Sequence, residues 1–313
     1  MLSFAIRRIL HSLPMLLIST IVVFLLMHIA PGDPAMVLAG PEATAEELRQ
    51  VRASLGLDQP LYVQYLAWLA GILKGDLGTS ILSGHPVTSL LAARIPGTVQ
   101  LAVVAMLVSM AIAFPLGITA AMHQNSKRDY MISTFNTLAI AVPGFWIAIL
   151  GITVFSVQLG WLPAGGKGDF SRYPLAATKS FVLPTLTLAL THAASTARYV
   201  RNSMLEVLHE DYVRTAYAKG LSQRRILMGH TLRNALIPIV PFIGLQFGNL
   251  LGGLVVIEMV FSWPGLGRLM LDAIGNRDYA VVQGGLLFLV FLSILVGLAI
   301  DLIHGVLDPR VRY

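Results

Sequence analysis

Residues 211–238 read DYVRTAYAKGLSQRRILMGHTLRNALIP, the longest polar run between apolar segments on the side that the charge count below makes the inner one. Asp211 suits the N-cap of a helix over Tyr212–Lys219, with Lys219 in its last turn and Gly220 at the C′ position. Ser222 suits the cap of a second helix bearing Arg224, Arg225 and Arg233, and Pro238 marks the return to apolar sequence. The pattern predicts a short, stiff knuckle that Ala216 and Ala218 keep slim enough to enter a groove. A solvated basic loop that only satisfies the positive-inside preference would share the same composition, so both readings are open.

Apolar segments stand on both sides of this run: Ile9–Ala30, Val99–Ala121, Ile132–Leu159, Phe181–Ala197, Leu236–Val260 and Ala280–His304. A helix rises ~1.5 Å per residue and a bilayer core is ~30 Å thick, so about 20 residues cross it. Phe181–Ala197, the shortest, gains length by continuing past Arg198, whose guanidinium can reach back to the interface. Of the 313 residues, 56% are hydrophobic and only 12% are charged, with mean hydropathy +0.73. Soluble domains carry roughly 25% charged residues. The expected fold class is an all-α integral membrane protein with six transmembrane helices.

Charge orients the chain. With the N-terminus inside, the inner segments 1–8, 122–131, 198–235 and 305–313 hold 13 Lys and Arg in 65 residues. The outer segments 31–98, 160–180 and 261–279 hold 9 in 108. The denser basic side faces the cytosol, so both termini are expected there. This bias also accounts for a pI near 9.7, and nucleic acid is not an expected partner, because the basic residues do not cluster on a soluble domain. Residues 1–30 are read as a retained first span: the apolar core is longer than signal peptides use, and no small-x-small site follows it. The expected layout is then a first span at 1–30 and an extracytoplasmic helical segment at 31–98. A five-helix core at 99–304 follows, with the cytosolic loop 198–235, and a cytosolic tail at 305–313.

In the outer segment Thr44 and Glu47 have capping-box spacing, Leu48, Val51 and Leu55 share a face, and Gly56 stops the helix. A second helix begins after Pro60 and carries Tyr62, Tyr65 and Trp68, which suit either a lid on the membrane face or a docking surface. Small residues recur every four positions at Ala105, Ser109, Ala113, Gly117 and Ala121, at Gly244, Gly248 and Gly252, and at Ser293 and Gly297 before Asp301. Such ridges permit close helix approach, within the chain or across a dimer. Thr187, Thr191, Ser195 and Arg198 fall at i, i+4, i+8 and i+11, a polar stripe on one helix face. Their hydroxyls can bond back to their own helix or line a pathway. His192 lies off that stripe and alone, so no metal site is expected. Glu258 and Asp301 sit towards span ends, where pairing or capping explains them better than proton relay.

Some chemistries are excluded. There is no cysteine, hence no disulfide, Fe–S cluster or thiol catalysis. No GxxxxGK[ST] loop, HExxH pair or GxSxG elbow occurs, and Gly165–Gly168 lacks the phosphate-loop spacing. No catalytic residue is expected.

DYVRTAYAKG and HTLRNALIP resemble the cytoplasmic EAA loop of membrane subunits of bacterial ABC importers. APGDP (Ala30–Pro34), LGLDQPLYVQYLAWL (Leu55–Leu69), GDLGTS (Gly75–Ser80), VFSWPGLGRL (Val260–Leu269), RDYAVVQ (Arg277–Gln283) and DPRVRY (Asp308–Tyr313) resemble its dipeptide/oligopeptide/nickel permease branch. One departure is plain: where the broad pattern has Glu-Ala-Ala, this chain has Arg214-Thr215-Ala216, so only Ala216 and Gly220 match. The acidic contact of that pattern does not transfer to Arg214.

The resemblance implies a type I importer transmembrane domain in a bacterial inner membrane, paired with a second homologous permease. It implies two ATP-binding subunits engaging Asp211, Tyr212, Ala216, Ala218, Lys219 and Gly220, with ATP and Mg on those subunits and no cofactor in this chain. An extracytoplasmic binding protein would deliver a dipeptide, oligopeptide, glutathione, or nickel or another metal chelate past Thr187, Thr191, Ser195 and Arg198. The alternative of an ion-driven secondary transporter calls for central acidic residues and paired broken helices, which the spans do not display. An assembly subunit without a pathway is a third reading, against which only the Thr/Ser stripe speaks.

Overall fold

Water is absent from a bilayer core, so an apolar segment there takes a form that satisfies its own N–H and C=O groups. The computed structural model describes residues 2–29, 33–40 and 42–307, and among these the regular structure is helical, with one isolated antiparallel bridge from Thr79 to Pro86. The helices are α1 (Leu2–Ile29), α2 (Pro34–Ala39), α3 (Ala45–Ser54), α4 (Leu61–Leu73), α5 (Val87–Met122), α6 (Lys127–Ala141), α7 (Gly144–Gly151), α8 (Pro174–Leu208), α9 (Asp211–Ala218), α10 (Gln223–Arg225), α11 (Leu232–Val260), α12 (Leu266–Gly275) and α13 (Tyr279–Leu307). Short π-helical stretches, Ile152–Gln158 and Ile226–Thr231, extend α7 and join α10 to α11. Residues 30–32 of the first turn motif and the DPRVRY motif, with most of the expected tail, lie outside the described residues.

Helices long and apolar enough to cross a membrane are Ile6–Ile29, Val87–Met122, Gln223–Val260 and Tyr279–Leu307. The expected span Ile132–Leu159 is corrected: α6 and α7 meet at 96°, so they form one broken span or a re-entrant pair. Pro143 has no N–H to donate, and it holds Val142 in extended backbone (φ −87°, ψ 126°), which ends α6. Helix α8 has length to spare at 35 residues but falls short on apolarity, so among the described residues up to five spans pass by length and apolarity together, and the expected six is not confirmed by these measures. Pro238 proves to be no boundary; it and Pro241 lie inside α11.

The chain divides into two compact units. The first comprises Met1–Arg8, Val99–Trp263 and Leu295–Tyr313. Its core gathers Ala121, Val200, Met204, Ala235 and Ile239, flanked by Phe114, Tyr199 and Leu227. At Gly117 a Cβ would stand 2.6 Å from the Ala197 carbonyl oxygen, so that ridge serves packing of α5 on α8 within the chain. The α11 ridge divides. Gly244 meets Ile300, whereas a Cβ at Gly248 or Gly252 would meet nothing within 4 Å. Asp301 pairs with Arg8 at 3.2 Å, the structural role that its position suggests. Glu258 is fully buried, and its carbonyl accepts from Trp263 N–H at 2.8 Å.

The second unit comprises Ile9–Thr98 and Pro264–Ile294. Asp33 caps α2 through Ala35 N–H at 2.9 Å and pairs with Arg52 of α3. The Thr44/Glu47 capping box forms, and Gly56 adopts φ +67° beyond α3. Tyr65 and Trp68 of α4 pack on Phe24 of α1, and Tyr65 Oη lies 2.9 Å from Thr20 Oγ1, while Tyr62 is exposed. Val87, Leu91, Leu266, Val281 and Val282 form this unit's core.

Candidate functional site

Helix α8 runs on to Leu208, and the chain turns through His209 and Glu210 into α9. The N-cap is Glu210, not Asp211: the Glu210 carbonyl accepts from Val213 and Arg214 N–H at 3.0 and 3.2 Å, and no side chain caps the helix. Asp211 already has helical geometry one position later, and its exposed carboxylate faces Arg214 at 3.5 Å. The other end matches the sequence reading. Gly220 adopts φ +74°, its N–H donates to Tyr217 O at 2.9 Å, and Leu221 N–H donates to Ala216 O at 3.3 Å. These two bonds close the helix in a Schellman motif, which needs a residue comfortable in the left-handed region.

Burial divides α9 into two faces. Val213 and Ala216 turn inward and pack with Ile226, Leu221, Val207 and Leu208. Asp211, Tyr212, Ala218, Lys219 and Gly220 are exposed. Ala216 therefore anchors the knuckle to its own chain and does not present itself to a partner. Tyr212 is braced from α11 by Asn234 Nδ2, which donates to Tyr212 Oη at 2.9 Å. Ser222 starts α10 with its carbonyl, while its hydroxyl caps nothing.

A second feature lies deeper in this unit: a cavity of about 290 Å³ lined by Gly144 and Phe145 of α7, Thr187, Thr191 and His192 of α8, and Asn249 and Gly253 of α11. The polar stripe on α8 splits here. Thr187 Oγ1 donates to Leu183 O at 2.8 Å and is satisfied by its own helix. Thr191 Oγ1 is buried with no hydrogen-bond partner, although it borders the cavity. Ser195 Oγ reaches back to Thr191 O at 3.4 Å, and Arg198 is exposed; neither lines the cavity. His192, off the stripe by spacing, joins the wall. Phe145 and Asn249 escape sequence reasoning, because they meet α8 from two other helices, α7 and α11. The cavity's described lining has neutral donors and acceptors and no charged side chain.

A profile described as "Binding-protein-dependent transport system inner membrane component" matches residues 113–313, and a companion for the N-terminal part of such components matches residues 1–102. The chain is 42% identical over 313 residues to the glutathione transport system permease protein GsiC of Salmonella typhimurium, covering 100% of both chains. Against GsiC of Escherichia coli K12 the identity is 43%, again over 313 residues and 100% of both. The inward-facing MetNI methionine ABC transporter is similar in fold: TM-score 0.59 at 21% identity, over 70% of this chain and 96% of that one.

Proposed function

The chain belongs to the binding-protein-dependent transport system inner membrane component family, as a permease subunit of an ABC importer, and we propose that it forms half of a pathway for a peptide-sized solute, glutathione first. Its fold is that of type I importer transmembrane domains, and it is a multi-pass inner membrane protein. The carrying observation is α9, a closed knuckle with exposed Asp211, Tyr212, Ala218, Lys219 and Gly220. Such a knuckle suits a groove on an ATP-binding subunit.

Two ATP-binding subunits, which hold ATP and Mg, would engage this knuckle and that of a second homologous permease. Nucleotide-driven closure would draw the knuckles together and turn the cavity outward, and hydrolysis would reset it. This is a two-state element biased by a ligand at a distance. This chain itself carries no catalytic step and no cofactor in this reading. The relatives' names and a cavity wall of Thr187, Thr191, His192 and Asn249 support a solute bearing peptide bonds, held without a fixed counter-charge.

Reconstitution with the cognate permease, ATPases and external binding protein tests this. ATP-dependent, saturable uptake of labelled glutathione is expected. ATP-driven uptake of dipeptide or metal chelate without glutathione would reassign the cargo, and uptake that ignores ATP would end the reading. In this reading both termini lie in the cytosol, so a cytosol-only reporter fused after Gly220 should be active and one after Gly165 silent. The reverse result overturns that orientation.

A further inference from the structure

The coupling reading leaves one feature unused. Asp129, in the first turn of α6, accepts from Arg201 of α8 through both oxygens: Oδ1 from Nε and Oδ2 from Nη2, each at 2.6 Å. The same carboxylate accepts from Asn125 N–H at 3.0 Å and from the Ser133 hydroxyl at 3.4 Å. The Asp129 side chain is 4% exposed and that of Arg201 22%, whereas the Asp211–Arg214 pair is 96% and 70% exposed. A parallel, two-bond pair with its remaining acceptor sites filled is directional as well as strong. An exposed single contact is neither.

Position gives the pair its meaning. Arg201 stands ten residues before Asp211 on the helix that leads to the knuckle, and ten residues after Thr191 in the cavity wall. Asp129 begins the helix whose far end is the bend at Pro143, just beyond which Phe145 forms the facing wall. A push entering through α9 reaches α8 directly. It reaches α6 through the ties of that helix to α8, and α7 both through α6 and through its own packing on α8 and α11. Helix α6 packs along α8, and among the ion pairs described Asp129–Arg201 is the one that joins these two helices.

We infer that Asp129 and Arg201 are positioning residues that bind α6 to α8, so that displacement of the coupling knuckle moves both walls of the cavity together. The inference rests on the coupling reading above. Losing the guanidinium should leave the knuckle and ATP hydrolysis in place while loosening the coupling of the Phe145 wall to them.

The test uses the reconstituted importer with otherwise cysteine-free subunits. This chain has no native cysteine, so Thr191→Cys or Phe145→Cys gives it a single thiol. In the chain with an intact pair, thiol reactivity at both positions should change between nucleotide-free and vanadate-trapped states. With Arg201→Gln, the Thr191→Cys response should persist and the Phe145→Cys response should shrink by at least about half. Solute imported per ATP hydrolysed should fall at least about tenfold, at near-parental basal hydrolysis. Arg201→Lys, which keeps charge without the fork, should fall between and covers the case in which Arg201→Gln fails to assemble. Retained responses at both positions, or import per ATP within about twofold of parent in an assembled Arg201→Gln or Arg201→Lys complex, would overturn the clamp. If neither thiol responds with the pair intact, the coupling reading fails first and the clamp falls with it.

Discussion

Replacement of Gly220 isolates the conformational requirement of the knuckle. Gly220 sits at φ +74°, and a Cβ there would meet nothing within 4 Å, so the chain itself presents no steric objection to a side chain. The cost is in the backbone, roughly 1–2 kcal/mol for an L-residue held in the left-handed region, and more for a β-branched one. Escape from that region sacrifices the bonds from Gly220 N–H to Tyr217 and from Leu221 N–H to Ala216. Each contributes ~0.5–1.5 kcal/mol, so the penalty for Gly220→Val settles near about 2 kcal/mol by either route. At 1.4 kcal/mol per decade that is about a thirtyfold loss of the closed knuckle. Helix α9 has 8 residues and is too short to persist alone, so its closure has little reserve against such a loss. Titration of detergent-solubilised permease with ATPase subunits should show up to about thirtyfold weaker docking for Gly220→Val. Gly220→Ala should fall between, and Gly220→Asn should stay near parent, because asparagine visits the left-handed region. Docking of Gly220→Val equal to the parent would refute the reasoning. An equal loss in all three variants would also refute it, since that pattern reports a partner pressed against the α-carbon, not a backbone preference.

Three further outcomes are expected. Thr191→Val removes a buried hydroxyl that has no partner, so thermal stability should hold or rise by about 1 kcal/mol while apparent affinity for cargo drops; unchanged uptake kinetics would take the hydroxyl out of the pathway. Gly117→Ala places a Cβ 2.6 Å from the Ala197 carbonyl oxygen and should cost ~1–3 kcal/mol of stability as α5 is pushed off α8; an unchanged melting temperature would show that the contact can give. The Arg52 guanidinium bonded to Asp33 holds its carboxyl below the ordinary carboxylate range, with burial opposing and the Ala35 N–H assisting. The stability from this pair is therefore present above that range and lost as pH falls through the lowered value. Asp33→Asn should flatten the acid limb of a melting-temperature-against-pH curve, and an identical acid limb in the variant would count against the pairing.

Features that depend on residues near one another in the chain are legible in its sequence. The Thr44/Glu47 box, the stops at Gly56 and Gly220 and the start of α4 after Pro60 all follow from local capping and backbone rules. Where two local solutions compete, the reading is less secure: Glu210 and Asp211 can both begin α9, and the structure begins it from Glu210. The broken span is missed for a different reason. Hydropathy reads through Val142-Pro143, although proline geometry there is a local signal that was available. The cavity is a tertiary fact. Phe145, His192 and Asn249 come from three elements, and no spacing in one helix predicts their meeting. The Asp129–Arg201 pair likewise joins residues 72 apart, although Ser126 three positions before Asp129 marks a helix start.

The misfit of α8 with the apolar-span criterion follows from the same residues that make the helix useful. Thr185, Thr187, Thr191, His192 and Thr196 depress its hydropathy, and two of them, with His192 between α7 and α11, border the cavity. A helix facing lipid all round can be apolar all round; one with a face on a polar solute cannot. Length is the second mark. At ~1.5 Å per residue its 35 residues reach ~52 Å, about 20 Å more than a bilayer core. Thr191 and Asp211 are then joined by a nearly continuous helical path about 30 Å long, one mechanical route from knuckle to cavity. A criterion that rewards apolarity selects Ile6–Ile29, Val87–Met122 and Tyr279–Leu307 among others, and passes over this one. In a permease, a helix that is long enough to span yet too polar to score is therefore where pathway residues are to be sought first.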